Sequence, residues 1–357
     1  MSNGYRVAIV GATGVVGEMI RRVLEERADR FPVSELVLFA SERSVGKRIK
    51  FRDEELHCSA LEQDAIKGFD LVFSSAGGDV SKKWAPLFAE QGAFVIDKSS
   101  AFRKEPHPLV VPEVNPDALT NAIQKGQRII ASPNCSTTQL VMALKPLHDA
   151  HRIVRLTVTT YQAVSGTGKR AVEELERETK QWARDENVDV GDVYPHQIAF
   201  NVLGQAGSFL PDGRTDEEEK LVAETTRILD DSSIRISAAC ARVPVMTCHS
   251  ESVIVEFAEA VKPDRARSLL RAFDGVSVVD EPRDQAYPTA VDAADEDDVF
   301  VGRIRQDSGH DNALAMWIVG DNLRKGAATN AVQIAEFLHD NGHLGQQYAR
   351  QPEALHA

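Results

Sequence analysis

Cysteine is scarce in this chain. Cys58, Cys135, Cys240 and Cys248 are the only four in 357 residues, and no two form a CxxC pair. That excludes a disulfide-stapled scaffold and points to reduced thiols in a cytoplasmic protein. Long hydrophobic runs are missing too: no segment approaches the roughly twenty apolar residues that a membrane helix needs. Met1 leads straight into strand-like Tyr5–Val10, with no signal-peptide pattern. Positive charge is in deficit. Forty-one Lys and Arg against 54 Asp and Glu leave a net charge of −13, so neither nucleic acid nor an anionic membrane is expected as a partner. An anionic substrate would need a local basic pocket. The 23 glycines and 15 prolines are too few for a collagen-like or low-complexity chain. What is present is ordinary globular composition, at a length that suits two domains.

The first third alternates short apolar runs with helical stretches. Val7–Val10 precedes a glycine turn. A helix follows, with Val15, Met19 and Val23 on one row and Val16, Ile20 and Leu24 on the next. Glu35–Ala40, Asp70–Ser74, Ala93–Asp97 and Ile129–Ala131 read as further strands. Strand and helix alternating at this spacing predict βαβ units and a doubly wound parallel sheet. The middle differs. Val154–Gln162, Arg235–Val243, Val253–Phe257, Val299–Arg305 and Ala313–Val319 read as strands. Helices are expected at about 169–185, with many charges on one face, and at about 216–230. This predicts a second, α+β domain with a larger mixed sheet. The expected division is 1–133, 134–325, a helix at about 326–341 that packs back on the first domain, and a polar tail at 342–357.

Gly11-Ala12-Thr13-Gly14-Val15-Val16-Gly17 lies between a strand and a helix. Glycines there let a phosphate approach backbone N–H groups at a helix N-terminus, the arrangement of a Rossmann-type dinucleotide site. Gly11, Thr13, Gly14, Val15 and Val16 are the candidate contacts. The end of the second strand selects the cofactor. An NAD site places an acid there; here Phe39-Ala40 is followed by Ser41-Glu42-Arg43-Ser44. Ser41, Arg43 and Ser44 suit a 2′-phosphate, hence NADP; Glu42 argues the other way, and the alternative is a plain solvated charged loop.

Ser132-Pro133-Asn134-Cys135-Ser136-Thr137-Thr138 joins a strand to an apolar helix. A cysteine in a first helical turn feels the positive end of the dipole, which favours the thiolate. Cys58 and Cys240 read as small buried hydrophobes. A thiolate nucleophile needs a proton-transfer partner. The candidate is His249, because two adjacent strands would bring Arg242 and His249 to one sheet end. Cys240, Cys248 and His249 match no common zinc spacing and lack a fourth ligand, so no metal is expected.

Together GATGVVG, SSAFR, SPNCSTTQL, YQAVSGTG, YPHQIAFNV, RVPV, CHSE and DNLRKGAA, in that order from Val7 to about His339, resemble the aspartate-β-semialdehyde dehydrogenase family. The resemblance implies reduction of β-aspartyl phosphate to aspartate semialdehyde with NADPH, on the route to lysine, methionine, threonine and isoleucine. It implies that Cys135 forms a thioester, that His249 is the acid/base group and that Gln162 orients the intermediate. Arg242 would bind the substrate carboxylate and Glu217 its amino group, with Asn134 beside them. Arg103 and Lys220 would hold the phosphate. Ser165, Gly166 and Asn322 would meet the cofactor, and the second domain would form a homodimer or homotetramer.

Thr215-x-x-Glu218 also reads as a capping box, in which first-turn acids are structural. Lys98 stands where relatives carry asparagine, the stretch from Asp185 to Tyr194 is short, and Asp292–Asp298 reads as a solvated loop. Two alternatives remain: a reductase of the N-acetyl-γ-glutamyl-phosphate type, and a non-catalytic NADP-binding sensor. The first lacks a use for Arg242 with Glu217, and the second predicts loss of the cysteine or its base.

Overall fold

The computed structural model describes residues 4–345; most of the predicted tail, 346–357, lies outside the described residues. The chain divides into two compact units, Met1–Pro133 with Ala327–Ala357, and Asn134–Gly326.

The first unit is built on seven strands: β1 (Tyr5–Val10), β2 (Val33–Phe39), β3 (Arg48–Phe51), β4 (Glu54–Ser59), β5 (Leu71–Ser74), β6 (Phe94–Asp97) and β7 (Ile129–Ala131). Their order is β3-β4-β2-β1-β5-β6-β7. All pairings are parallel except β3 with β4. The central strands are buried on both faces, as parallel strands under helices must be. Helices α1 (Val15–Glu26), α2 (Gly78–Glu90) and α3 (Pro116–Gln124) connect them. Ile20, Val23 and Leu24 of α1 enter the core beside Val332, Ile334, Ala335 and Leu338 of a terminal helix, Thr329–Asp340. A two-pronged pair, Arg27 to Glu336 at 2.7 and 2.8 Å, ties that helix to the end of α1. The β3–β4 hairpin was not expected. Its residues alternate weakly and several are charged and exposed, which suits a sheet edge and hides the strand period.

The second unit contains α4 (Cys135–Ala150), β8 (Ile153–Gln162), α5 (Lys169–Ala183), α6 (Asp216–Ile228), β9 (Arg235–Arg242), β10 (His249–Phe257), α7 (Pro263–Arg271), β11 (Val276–Val278), β12 (Val299–Gln306) and β13 (Ala313–Gly320). The mixed sheet runs β11-β12-β13-β10-β8-β9. Helices α4, α6 and α7 pack on it. Helix α4 is buried almost all round, because the sheet lies on one side and α6 and α7 lie against others. Along β10 the residues His249, Glu251, Val253 and Val255 are buried, while Ser252 and Ile254 are exposed. The opposite sheet face is therefore open in the single chain. Two of the α5 charges are not on a solvated face. Glu174 and Glu178, one turn apart, are buried and accept backbone N–H bonds from Val193, Tyr194, Ile198 and Ala199. Nor is Asp292–Asp298 simply solvated, since Asp297 pairs with buried Arg324 at 2.8 Å.

Candidate active site

Cys135 is the first residue of α4, and the N-cap is Asn134. The cap residue works in three directions. Its Oδ1 accepts from the N–H groups of Ser136 and Thr137, its own N–H donates to Glu224, and its Nδ2 donates to Glu217 Oε1 at 2.6 Å. The turn that presents the sulfur is therefore fixed from both sides. Gly326 supplies the space, since a Cβ there would lie 2.9 Å from Cys135 Cβ. Cys135 is partly exposed, whereas Cys58, Cys240 and Cys248 are buried. Burial pushes the Cys58 and Cys248 thiols up, and that of Cys240 to about 12.

Gln162, Arg242 and His249 meet at one end of the sheet. The route differs from the expectation: β9 and β10 are not neighbours, because β8 runs between them, parallel to β9 and antiparallel to β10. The last residue of β8, Gln162, thus sits level with both the last residue of β9 and the first of β10. Two strands close in sequence were separated by a third from elsewhere in the chain, which spacing along the chain does not reveal.

His249 is fully buried, and its Nε2 lies 3.2 Å from Cys135 Sγ. Its other nitrogen settles the tautomer. The Ala163 N–H can only donate, and it donates to Nδ1 at 3.0 Å. Nδ1 is therefore unprotonated, and in the neutral ring Nε2 carries the proton. Burial, then the Arg242 charge, holds His249 well below its ordinary value. The ring is neutral near pH 7 and directs an N–H at the sulfur. That geometry supports a thiolate and makes His249 a hydrogen-bond donor to it.

The Arg242 guanidinium is held at one corner, Nη1 donating to the Ala163 carbonyl at 2.7 Å, while its buried Nε meets no partner among the described residues. A cavity of about 470 Å³ adjoins it, with Thr167, Tyr194 and Asn201 among its walls. Glu217 collects the amides of Asn134 and Gln162, the latter at 3.3 Å. The capping box exists as well, but it uses Glu218 and leaves Glu217 pointing inward. Lys220 is paired with Asp216 at 2.6 Å and Glu217 at 3.4 Å. Burial favours its neutral amine, yet the two carboxylates outweigh that and keep it charged. Gly166 covers the cluster. A Cβ there would come within 3.1 Å of the His249 ring and 3.2 Å of Arg242 Nη1. Asn322 is committed to holding loops: its Oδ1 accepts the Cys248 N–H, and its Nδ2 donates to Ser165 Oγ.

The remaining candidates belong to the first unit. Gly11 has φ +85°, and Gly17 lies so close to Gly11 that a Cβ would meet its carbonyl oxygen at 2.3 Å. Gly14 caps α1 with no side-chain bond to the first amides. Backbone N–H groups and dipole are thus presented without a Cβ in the way, which fits a dinucleotide phosphate. Ser41, Arg43 and Ser44 lie in a short turn just after β2, Ser41 and Arg43 exposed and Ser44 half-buried. Arg103 donates to the Lys98 carbonyl at 2.9 Å.

Comparison with known proteins places this pair of units. Residues 6–122 match the family described as semialdehyde dehydrogenase, NAD binding domain. Residues 144–325 match semialdehyde dehydrogenase, dimerisation domain. The class is thus a semialdehyde dehydrogenase with a nicotinamide cofactor. Aspartate-semialdehyde dehydrogenase of Aquifex aeolicus (strain VF5) is 51% identical over 341 residues, 95% of this chain and 99% of the relative. The crystal structure of aspartate semialdehyde dehydrogenase II complexed with ASA, from Vibrio cholerae, superposes with a TM-score of 0.90 at 44% identity, covering 95% and 99% of the two chains. The structure of the Candida albicans enzyme with NADP gives a TM-score of 0.71 at 27% identity, covering 95% and 99%. The chain belongs to the aspartate-semialdehyde dehydrogenase family.

Proposed function

We propose that this chain is an NADP-dependent, phosphorylating aspartate-semialdehyde dehydrogenase that works through a thioester on Cys135. The observation that carries the reading is the 3.2 Å approach of His249 Nε2 to Cys135 Sγ, beside an arginine whose buried Nε has no partner among the described residues. Cys135 Sγ attacks the acyl carbon of β-aspartyl phosphate; the C–S bond forms, the C–O bond to phosphorus breaks, and phosphate leaves. Arg242 takes the substrate carboxylate with its Nε edge, and Glu217 takes the ammonium. A free amino acid offers both groups, which favours this substrate over an acetylated one. Arg103 and Lys220 bind the phosphate, which for Lys220 means exchanging a carboxylate partner. The glycine turn with Ser41, Arg43 and Ser44 would hold the NADP phosphates, and Ser165, Gly166 and Asn322 would meet the cofactor as well.

The bound cofactor supplies the hydride that reduces the thioester carbon. The His249 Nε2–H donates a hydrogen bond to the resulting oxyanion, Gln162 orients it, and the oxyanion collapses as the C–S bond breaks, releasing aldehyde and the Cys135 thiolate. The open sheet face is covered by a second copy, giving a homodimer or a pair of dimers. The enzyme serves the cytoplasmic branch that leads to lysine, methionine, threonine and isoleucine. The test is the absorbance of reduced nicotinamide with aspartate semialdehyde, phosphate and NADP. Turnover that requires phosphate supports the reading; turnover without phosphate, or none at all, rejects it.

A further inference from the structure

Helix α4 and strand β10 face each other along two rungs. Cys135 and Gln139 are one helical turn apart and share a face of α4; His249 and Glu251 are two residues apart and share a face of β10. The first rung is the Cys135–His249 contact. In the second, Gln139 Nε2 donates to the His249 carbonyl at 3.2 Å, and the Gln139 side chain stands against the Glu251 carboxyl. Neither Glu251 oxygen nor Gln139 Oε1 reaches hydrogen-bond geometry with any described residue, although all three atoms are buried. The cross-strand neighbours of Glu251 are neutral: Thr160 on β8, Ile318 on β13 and, beyond Thr160, Cys240 on β9, whose thiol lies at about 12.

We propose that Glu251 and Gln139 form a positioning pair that fixes the His249 ring against Cys135 Sγ. The inference deepens the reading of the site as a cysteine–histidine centre and rests on it. A carboxylic acid satisfies the pair with one rotation: its O–H donates to Gln139 Oε1, leaving Nε2 for the His249 carbonyl. An ionised carboxylate facing Oε1 would turn the amide over and set oxygen against the carbonyl instead. Burial, outweighing the Gln139 amide that pulls the other way, raises the Glu251 pKa well above the ordinary carboxylate value, which favours the acid form. The second rung is packed without slack. Gly320 lies opposite His249 across the β10–β13 pair, and a Cβ there would come within 3.0 Å of Gln139 Oε1 and 3.3 Å of its Cβ. Glu251 and Gln139 touch neither sulfur nor substrate; they act through the backbone of His249.

The test is the rate at which iodoacetamide alkylates Cys135, read by peptide mass spectrometry, which does not depend on turnover. A hydrogen bond from His249 to sulfur raises the thiolate fraction by about ten- to a hundredfold, and the lower nucleophilicity of a lower-pKa thiolate leaves about three- to tenfold in rate. Gln139→Leu and Glu251→Leu should slow alkylation by that factor, toward the rate of His249→Asn. Glu251→Gln, whose amide N–H can still donate to Oε1, should stay within about twofold of wild type. Adding Gln139→Leu to His249→Asn should slow it no further. Should a leucine variant not fold, Gly320→Ala carries the same prediction by displacing Gln139. Wild-type rates in the leucine and Gly320→Ala variants, or equal slowing with and without His249, overturn the proposal. Phosphate-dependent turnover of wild type, measured alongside, tests the underlying reading separately.

Discussion

Arg242→Lys keeps the charge and removes the fork. In the folded chain Nη1 is already committed to the Ala163 carbonyl at 2.7 Å. The Nε edge is what remains for a carboxylate. A lysine ammonium reaching the same place must serve the carbonyl and the substrate with one centre, so at least one charge-assisted hydrogen bond is lost. Such a bond is worth about 1.5–3 kcal/mol, and 1.4 kcal/mol is tenfold. The expected loss in kcat/KM for aspartate semialdehyde is therefore about ten- to a hundredfold, with KM for NADP and phosphate unchanged. Steady-state nicotinamide absorbance measures all three, and a melting curve reports whether the fold survives. A kcat/KM within twofold of wild type, on a folded protein, would refute the carboxylate assignment.

Three further outcomes are expected. Arg43→Glu should reduce or reverse a preference for NADP over NAD; equal turnover of wild type with both cofactors would refute the role of that turn. Arg103→Ala and Lys220→Ala should each raise the KM for phosphate by about ten- to a hundredfold and leave that for NADP alone; an unchanged phosphate dependence removes them from the phosphate site. The third concerns pH. His249 is held below its ordinary value of 6.5 when folded, so proton uptake favours the unfolded chain and stability falls as pH drops below about 6.5. Between about pH 7.5 and 5.5 the wild-type Tm should fall more steeply than that of His249→Asn; parallel curves would mean that the ring is not buried neutral.

Much of the first unit was legible because its signals are local. The GxxGxxG turn, the apolar runs of β1, β5 and β6, and the two rows of α1 each declare themselves within a dozen residues. The β3–β4 hairpin escaped because its strands are short, polar and at the sheet edge. In the second unit the strands were readable from their period, but the order in which they pair was not. Placing β8 between β9 and β10 is a long-range choice, and it puts Gln162 in the middle of the site. Asn134 shows a similar limit. Its type and place before Cys135 were visible, yet its work as cap, Glu217 holder and Glu224 partner belongs to the fold. Glu224, Gln139 and Glu251 left no signal beyond charge or amide in a segment that becomes buried. Glu174 and Glu178 left a faint one, the one-turn spacing of two acids that pin the following loop.

The central claim is a covalent bond between substrate and Cys135. Wild-type protein mixed with β-aspartyl phosphate, without NADPH, and digested for mass spectrometry should carry an aspartyl mass on the Cys135 peptide. The Cys135→Ala protein should carry none, and phosphate should be released only by wild type. An unmodified Cys135 peptide in wild type that has released phosphate, or an equal adduct in Cys135→Ala, would contradict the account.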